Sequence, residues 1–262
     1  MSLGNTFCAE LRKTVTLPAN RLAVLGTLVG SAAITLLNAF GTRAAIDSGA
    51  QQSRAFLSAF ETGYAAVPLG TVGAVVIGVV AISSEYTANS TDAGGGRQIT
   101  ATLAASPHRL RLLVAKALTV MLLVAVTAAV TIPVCVTLAG LVIGAMPGEP
   151  VGLDEAVARS SGAALYWMLT GLLALAITVL TRSGIIPLVV LVTNSSLVSV
   201  SLLLTNVTPL AHWLPDMAGR RLFGGLSTVE GGLDVVPGAL VMVAWTIGLL
   251  AVAGVAFSRR DA

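Results

Sequence analysis

The chain has 262 residues, of which 55% are hydrophobic and only 10% charged, and its formal net charge is +3. Soluble domains carry charge on roughly a quarter of their residues, so this composition excludes an ordinary water-soluble protein. It also argues against nucleic acid as a partner, because the small basic excess of so apolar a chain serves orientation in a bilayer.

Residues 1–20 form a segment of their own. Leu3, Phe7 and Leu11 fall at i, i+4 and i+8, with Glu10, Arg12 and Lys13 on other faces. That pattern predicts an amphipathic helix on the inner leaflet, broken by Pro18 before the first crossing. Residues 21–262 then read as one all-α transmembrane domain of six spans, approximately Leu22–Phe40, Tyr64–Ser83, Leu112–Met146, Gly162–Leu180, Gly184–Leu204 and Pro237–Phe257. Each is long enough to cross a hydrocarbon core of about 30 Å as a helix. The first is too long for the apolar region of a cleaved signal peptide and should persist as an anchor. The third contains no polar turn, so it reads as one long tilted helix kinked at Pro133. The pairs Gly26/Gly30 and Gly140/Gly144 are spaced for close helix packing inside the domain.

Charge placement predicts the topology. With the N-terminus inside, the inner segments hold Arg12, Lys13, Arg21, Arg97, Arg109, Arg111, Lys116, Arg182, Arg259 and Arg260. The outer loops hold Arg43, Arg54, Arg159, Arg220 and Arg221. Ten against five favours a multi-pass protein of the cytoplasmic (inner) membrane with both termini in the cytosol.

Two connections stand out. The inner loop 84–111 carries a stretch, Arg97 to Ala105, in which Ile99 and Leu103 stack at i, i+4 of a short helix. Ser106 and Pro107 then signal a new helix that runs through Arg109 into the third span. The outer segment 206–236 contains Leu210, Trp213, Leu214, Met217, Leu222 and Phe223, too apolar for a solvated loop. It reads as one or two short re-entrant helices dipping into the outer leaflet, with a packed extracellular loop as the alternative.

Catalytic chemistry is absent from this reading. The middles of the six stretches contain no Asp, Glu, Lys, Arg or His, which speaks against a proton-driven pump. Cys8 and Cys135 are placed in the tail and mid-membrane and cannot pair, and no metal-ligand spacing occurs. His108 and His212 have no nucleophile or metal partner in sequence. Ala93-Gly94-Gly95-Gly96-Arg97 lacks the spacing and the Lys-Ser/Thr pair of a phosphate-binding loop, so no cofactor is expected in this chain. Asn194, Ser195 and Ser196 form the one polar cluster in the fifth span, either a candidate substrate path or helix–helix hydrogen bonding.

At the inner loop the sequence resembles the permease subunits of ATP-binding-cassette (ABC) exporters of the drug, antibiotic and polysaccharide type. The residues that carry the resemblance are Glu85-Tyr86 ending the second span, Thr100-Ala101-Thr102-Leu103, Ala105-Ser106-Pro107-His108-Arg109, and Ala115-Lys116. Ala9-Glu10-Leu11-Arg12-Lys13-Thr14 is similar to that family's amphipathic N-terminal helix, and Pro215–Arg220 to a feature of its actinobacterial members. Thr87–Gly96 makes a longer, glycine-rich connection than the family's, which bears on docking geometry. The resemblance implies a half-transporter: a second permease subunit, identical or not, and a separate cytosolic ABC ATPase that binds the ATP and magnesium. It implies coupling to that ATPase through Glu85, Ile99, Thr100, Leu103, Pro107 and Arg109, supported by Glu10 and Lys13, and an amphipathic, lipid-like or drug-like cargo. An ion-coupled secondary carrier or channel working without an ATPase is the alternative, followed by a non-transporting membrane anchor.

Overall fold

The computed structural model describes residues 2–48, 58–87, 98–105, 108–144, 151–194, 199–224 and 231–259. Among these every regular element is helical. Ser2 caps α1 (Leu3–Thr16) by accepting a hydrogen bond from the Asn5 amide. The helix stops at Leu17, which the following proline forces into extended backbone, and Pro18 opens α2 (Pro18–Asp47) at its first position. The break expected at Pro18 is there.

After α2 come α3 (Ala59–Tyr64), a tight turn at Val67–Leu69, α4 (Gly70–Ser83) and another turn at Ser84–Tyr86. Next follow α5 (Gln98–Ala105), α6 (Arg109–Ile143) and α7 (Leu153–Thr181). Pro133 lies inside α6 without ending it, so the third stretch is one helix. At 1.5 Å per residue it is about 52 Å long, well beyond a bilayer core. The remaining elements are α8 (Ile185–Val192), α9 (Val200–Thr205), α10 (Pro215–Ala218) and α11 (Val235–Arg259).

Among the described residues, five helical segments are long and apolar enough to cross a membrane: Pro18–Asp47, Ala59–Tyr86, Arg109–Ile143, Leu153–Thr181 and Val235–Arg259. This is the composition and architecture of a multi-pass membrane protein. The expected fifth span, 184–204, is described as α8 and α9, with residues 195–198 between them outside the described set.

The segment Ala59–Tyr86 and α7 are the most enclosed of the five and lie at the centre, with α2, α6 and α11 around them. Their crossing is close because α4 and α7 meet through glycines. Gly78 lies against the Gly171 carbonyl, and Gly70 lies under the ring of Trp167, itself fully buried. Gly78→Val would push a side chain into α7 backbone that cannot rotate away. We expect a loss of about 1–3 kcal/mol, read as a lower melting temperature in detergent. Gly26 and Gly140, by contrast, face open space, so neither glycine pair singled out in the sequence forms a tight contact inside the domain.

α2 is packed with its small and polar residues inward. Thr27, Ser31, Thr35, Ala39 and Thr42 are buried, while Leu22, Val29 and Leu37 are 63–72% exposed. In a bilayer that is the favourable order, since large aliphatic side chains lose nothing by facing lipid and small ones let helices approach.

Within 206–236 three short turns are described: Pro209–Trp213 packs on α9 and α10, α10 packs on α11, and Arg220–Phe223 packs on α7 and α11. Met217, Ala218, Leu222 and Phe223 are buried there, and Trp245 Nε1 donates to the Trp213 carbonyl at 2.8 Å. Those four are spent on contacts with the chain's own helices, whereas Leu210 and Trp213 are 75% and 54% exposed. Residues 225–230 lie outside the described set.

A buried ion network as the candidate functional site

Four charged side chains from three parts of the sequence converge at one end of the bundle. Lys116 sits two turns into α6 and is 2% exposed. Its ammonium uses all three donors: to Glu10 Oε2 at 2.6 Å, Glu85 Oε1 at 2.7 Å and the Ala81 carbonyl at 3.0 Å. Glu85, at the end of the second span, has no exposure at all. Its Oε1 also accepts from Lys13 Nζ at 2.5 Å, and its Oε2 accepts from Thr102 Oγ1 at 2.9 Å. Two carboxylates and two ammonium groups leave the cluster with no net charge, the condition under which ions tolerate burial.

The backbone explains why these groups meet. Glu10 and Lys13 are one turn apart on α1, so both can reach the same side. The face of α1 that packs on α6 is Thr6, Glu10 and Thr14, at i, i+4 and i+8. This corrects the emphasis of the sequence pattern: the apolar row is half-buried at Phe7 and Leu11 and exposed at Leu3, while the polar row is fully inside. The reason is electrostatic. A lysine buried in α6 needs carboxylates, and α1 supplies one.

α5 is the short helix expected between Arg97 and Ala105, and it packs on the turn Ser84–Tyr86. Thr102 joins it to the network through Glu85, with the Gln98 carbonyl at 3.2 Å as the other acceptor for its one proton. Ile99 is 2% exposed and belongs to the chain's own core, whereas Thr100 and Ala104 are exposed. Ile99 therefore holds α5 down, and other residues form its outward face. Arg109 donates to the Phe257 carbonyl at 3.1 Å, tying the start of α6 to the end of α11. Pro107, Ser195 and Ser196 lie outside the described residues, as does the side chain of Leu103.

Asn194 donates to Asp216 Oδ2 at 2.8 Å and accepts from the Ser201 amide at 3.1 Å. It thereby bridges the end of α8, the start of α9 and α10. A second ion cluster occupies the far end of the Ala59–Tyr86 segment. Arg159 clasps Glu61 with two parallel hydrogen bonds of 2.5 and 3.0 Å, and its guanidinium lies 5.0 Å from the Phe60 ring centre and 4.7 Å from that of Tyr64. The Tyr64 hydroxyl donates to the Arg159 carbonyl at 2.7 Å. Cys8 is exposed and Cys135 buried, both free.

The place of Lys116 and Thr102 in this network is not legible from the residues one by one, although both fall inside the motif quoted above. The available signal was a lysine followed by nearly thirty uncharged residues of helix, which needs a buried partner. No protein-family model and no curated protein matches this chain.

Proposed function

We propose that the chain is the permease subunit of an ATP-driven exporter of the ABC type, with six spans, both termini in the cytosol and residues 206–236 re-entrant from the outer side. It works with a second permease subunit and a cytosolic ATPase that supplies the ATP and magnesium. Its cargo is amphipathic, lipid-like or drug-like, and moves outward through the cytoplasmic membrane.

The observation that carries this reading is the attachment of α5. A helix of eight residues outside the spans is hydrogen-bonded through Thr102 to Glu85, and Glu85 is locked by Lys116 and Lys13 to α6 and α1. A displacement of α5 by a soluble partner would reach the ends of three membrane-associated helices through one carboxylate. Such rigidity suits a lever, because Lys116 and Glu85, buried and each held by three hydrogen bonds, cannot shift singly without large cost.

The test is gentle affinity purification from the native host, with cross-linking and mass spectrometry of retained proteins. A stoichiometric soluble subunit carrying an ATP-binding cassette is the expected result. Placing glutamate at the exposed position Ala104 should release that subunit while leaving the melting temperature of the chain unchanged. Purification of the chain without any ATPase, even after cross-linking, would remove the energy source and overturn the proposal.

A further inference from the structure

Between α7, α8, α9, α10 and α11 lies a cleft of about 480 Å³, within the range of small-molecule sites. Most of its wall is aliphatic, with Leu173, Val189, Leu191, Leu214 and Met242 among the lining side chains. Tyr166, Thr170, Thr193, Asn194, Ser201 and Asp216 interrupt it with polar groups. Asp216, half-buried on α10, is the one carboxylate among the lining residues. Asn194 holds one of its oxygens from the side; no ion pair to it forms among the described residues, and Arg220, one turn on, acts with it on the Tyr166 hydroxyl. On α7 the hydroxyl of Thr170, 94% buried, has the Tyr166 hydroxyl beside it and no hydrogen bond of good geometry.

A carboxylate against apolar walls is costly unless a positive charge neutralises it. The amide of Asn194 orients the group without removing its charge. A hydroxyl acceptor across the cleft and the ring of Tyr166 in the same wall add two more electron-rich surfaces for a cation. An anion would meet repulsion from Asp216 here, and an uncharged hydrophobe would leave that carboxylate without a cation in contact. We infer that this cleft binds a lipophilic cation, a molecule with a bulky apolar body and one permanent or protonated positive centre seated against Asp216. Binding needs nothing beyond this chain. Only the assignment of the bound molecule as cargo rests on the exporter reading above.

The test uses the full chain in lipid nanodiscs, with radiolabelled tetraphenylphosphonium as the cation and tetraphenylborate as its anionic match in shape. Empty nanodiscs give the partition background. The expected result is saturable retention of the cation at one per chain and none of the anion above background. Asp216→Asn should weaken retention at least about tenfold, in line with the loss of a charge-assisted contact. Val190 lines the same cleft yet is half exposed, so Val190→Trp fills the space without disturbing the core and should abolish retention. Equal cation binding by a stably folded Asp216→Asn protein, undiminished binding by Val190→Trp, or equal retention of both ions would each overturn the inference. An ATPase-free purification would leave this site standing, and failure of cation binding would leave the exporter reading standing, so the two are separable.

Discussion

Lys116→Met should unfold this protein more readily than any other single change at the inner end, with a loss of about 3–5 kcal/mol. The methionine fills the space of the lysine stem, so packing is nearly conserved and the electrostatics change alone. Glu10 and Glu85 would then share a buried site with Lys13 as the one remaining cation, leaving one uncompensated negative charge. The Ala81 carbonyl would lose its partner as well. A thermal melt in detergent reads the loss. Adding Glu10→Gln returns the cluster to neutrality, and we expect the double variant to regain a substantial part of the difference. A double variant less stable than the single one would show that charge balance is not what holds the cluster. Because Glu85 also anchors Thr102, the single variant should loosen α5, which faster hydrogen exchange over residues 98–105 would report.

The second large effect is expected at the opposite end. Arg159→Met removes a two-pronged clasp on Glu61 and a cation stacked on two aromatic rings at once. The arginine side chain is 9% exposed and that of Glu61 22%, so the orphaned carboxylate would keep only partial access to water. We expect a loss of about 3 kcal/mol, the low end for breaking a buried pair. Arg159→Lys should recover little of it, since an ammonium neither grips both oxygens in one plane nor stacks as a flat cation. Recovery to near the native melting temperature with lysine would mean that charge alone matters there. Gly224, with φ of +82°, packs directly against the Arg159 stem, so a side chain at 224 would be strained and would also crowd the clasp.

These two clusters show where the sequence was legible and where it was not. Glu85 was visible as the end of the second stretch. Glu10 and Lys13 were visible as the charged side of an amphipathic helix. Their partners were not, because Arg159 lies 98 residues from Glu61 and Lys116 lies 106 from Glu10. Helical periodicity fixes which residues share a face but says nothing about which face a distant helix presents to it. The same gap explains α1: the apolar row is the stronger pattern, yet the polar row is the one that packs against α6. It also explains Asn194, read as part of a polar cluster along the fifth stretch and found as the bridge to Asp216.

Composition and run length alone determined that this chain is helical and built for a membrane. They also placed the break at Pro18, the unbroken course of α6 through Pro133 and the short helix at 98–105. Those features follow from local physics: apolar length against bilayer thickness, the missing amide of proline, and side-chain spacing on a helix. Tertiary structure alone decided which charges neutralise one another, which glycines bring helices together, and that α8, α9 and α10 enclose a cleft with a carboxylate in its wall. Each of those depends on contacts between segments far apart in the chain, where the cost of burying a charge or leaving a void is set by the neighbour and not by the residue itself.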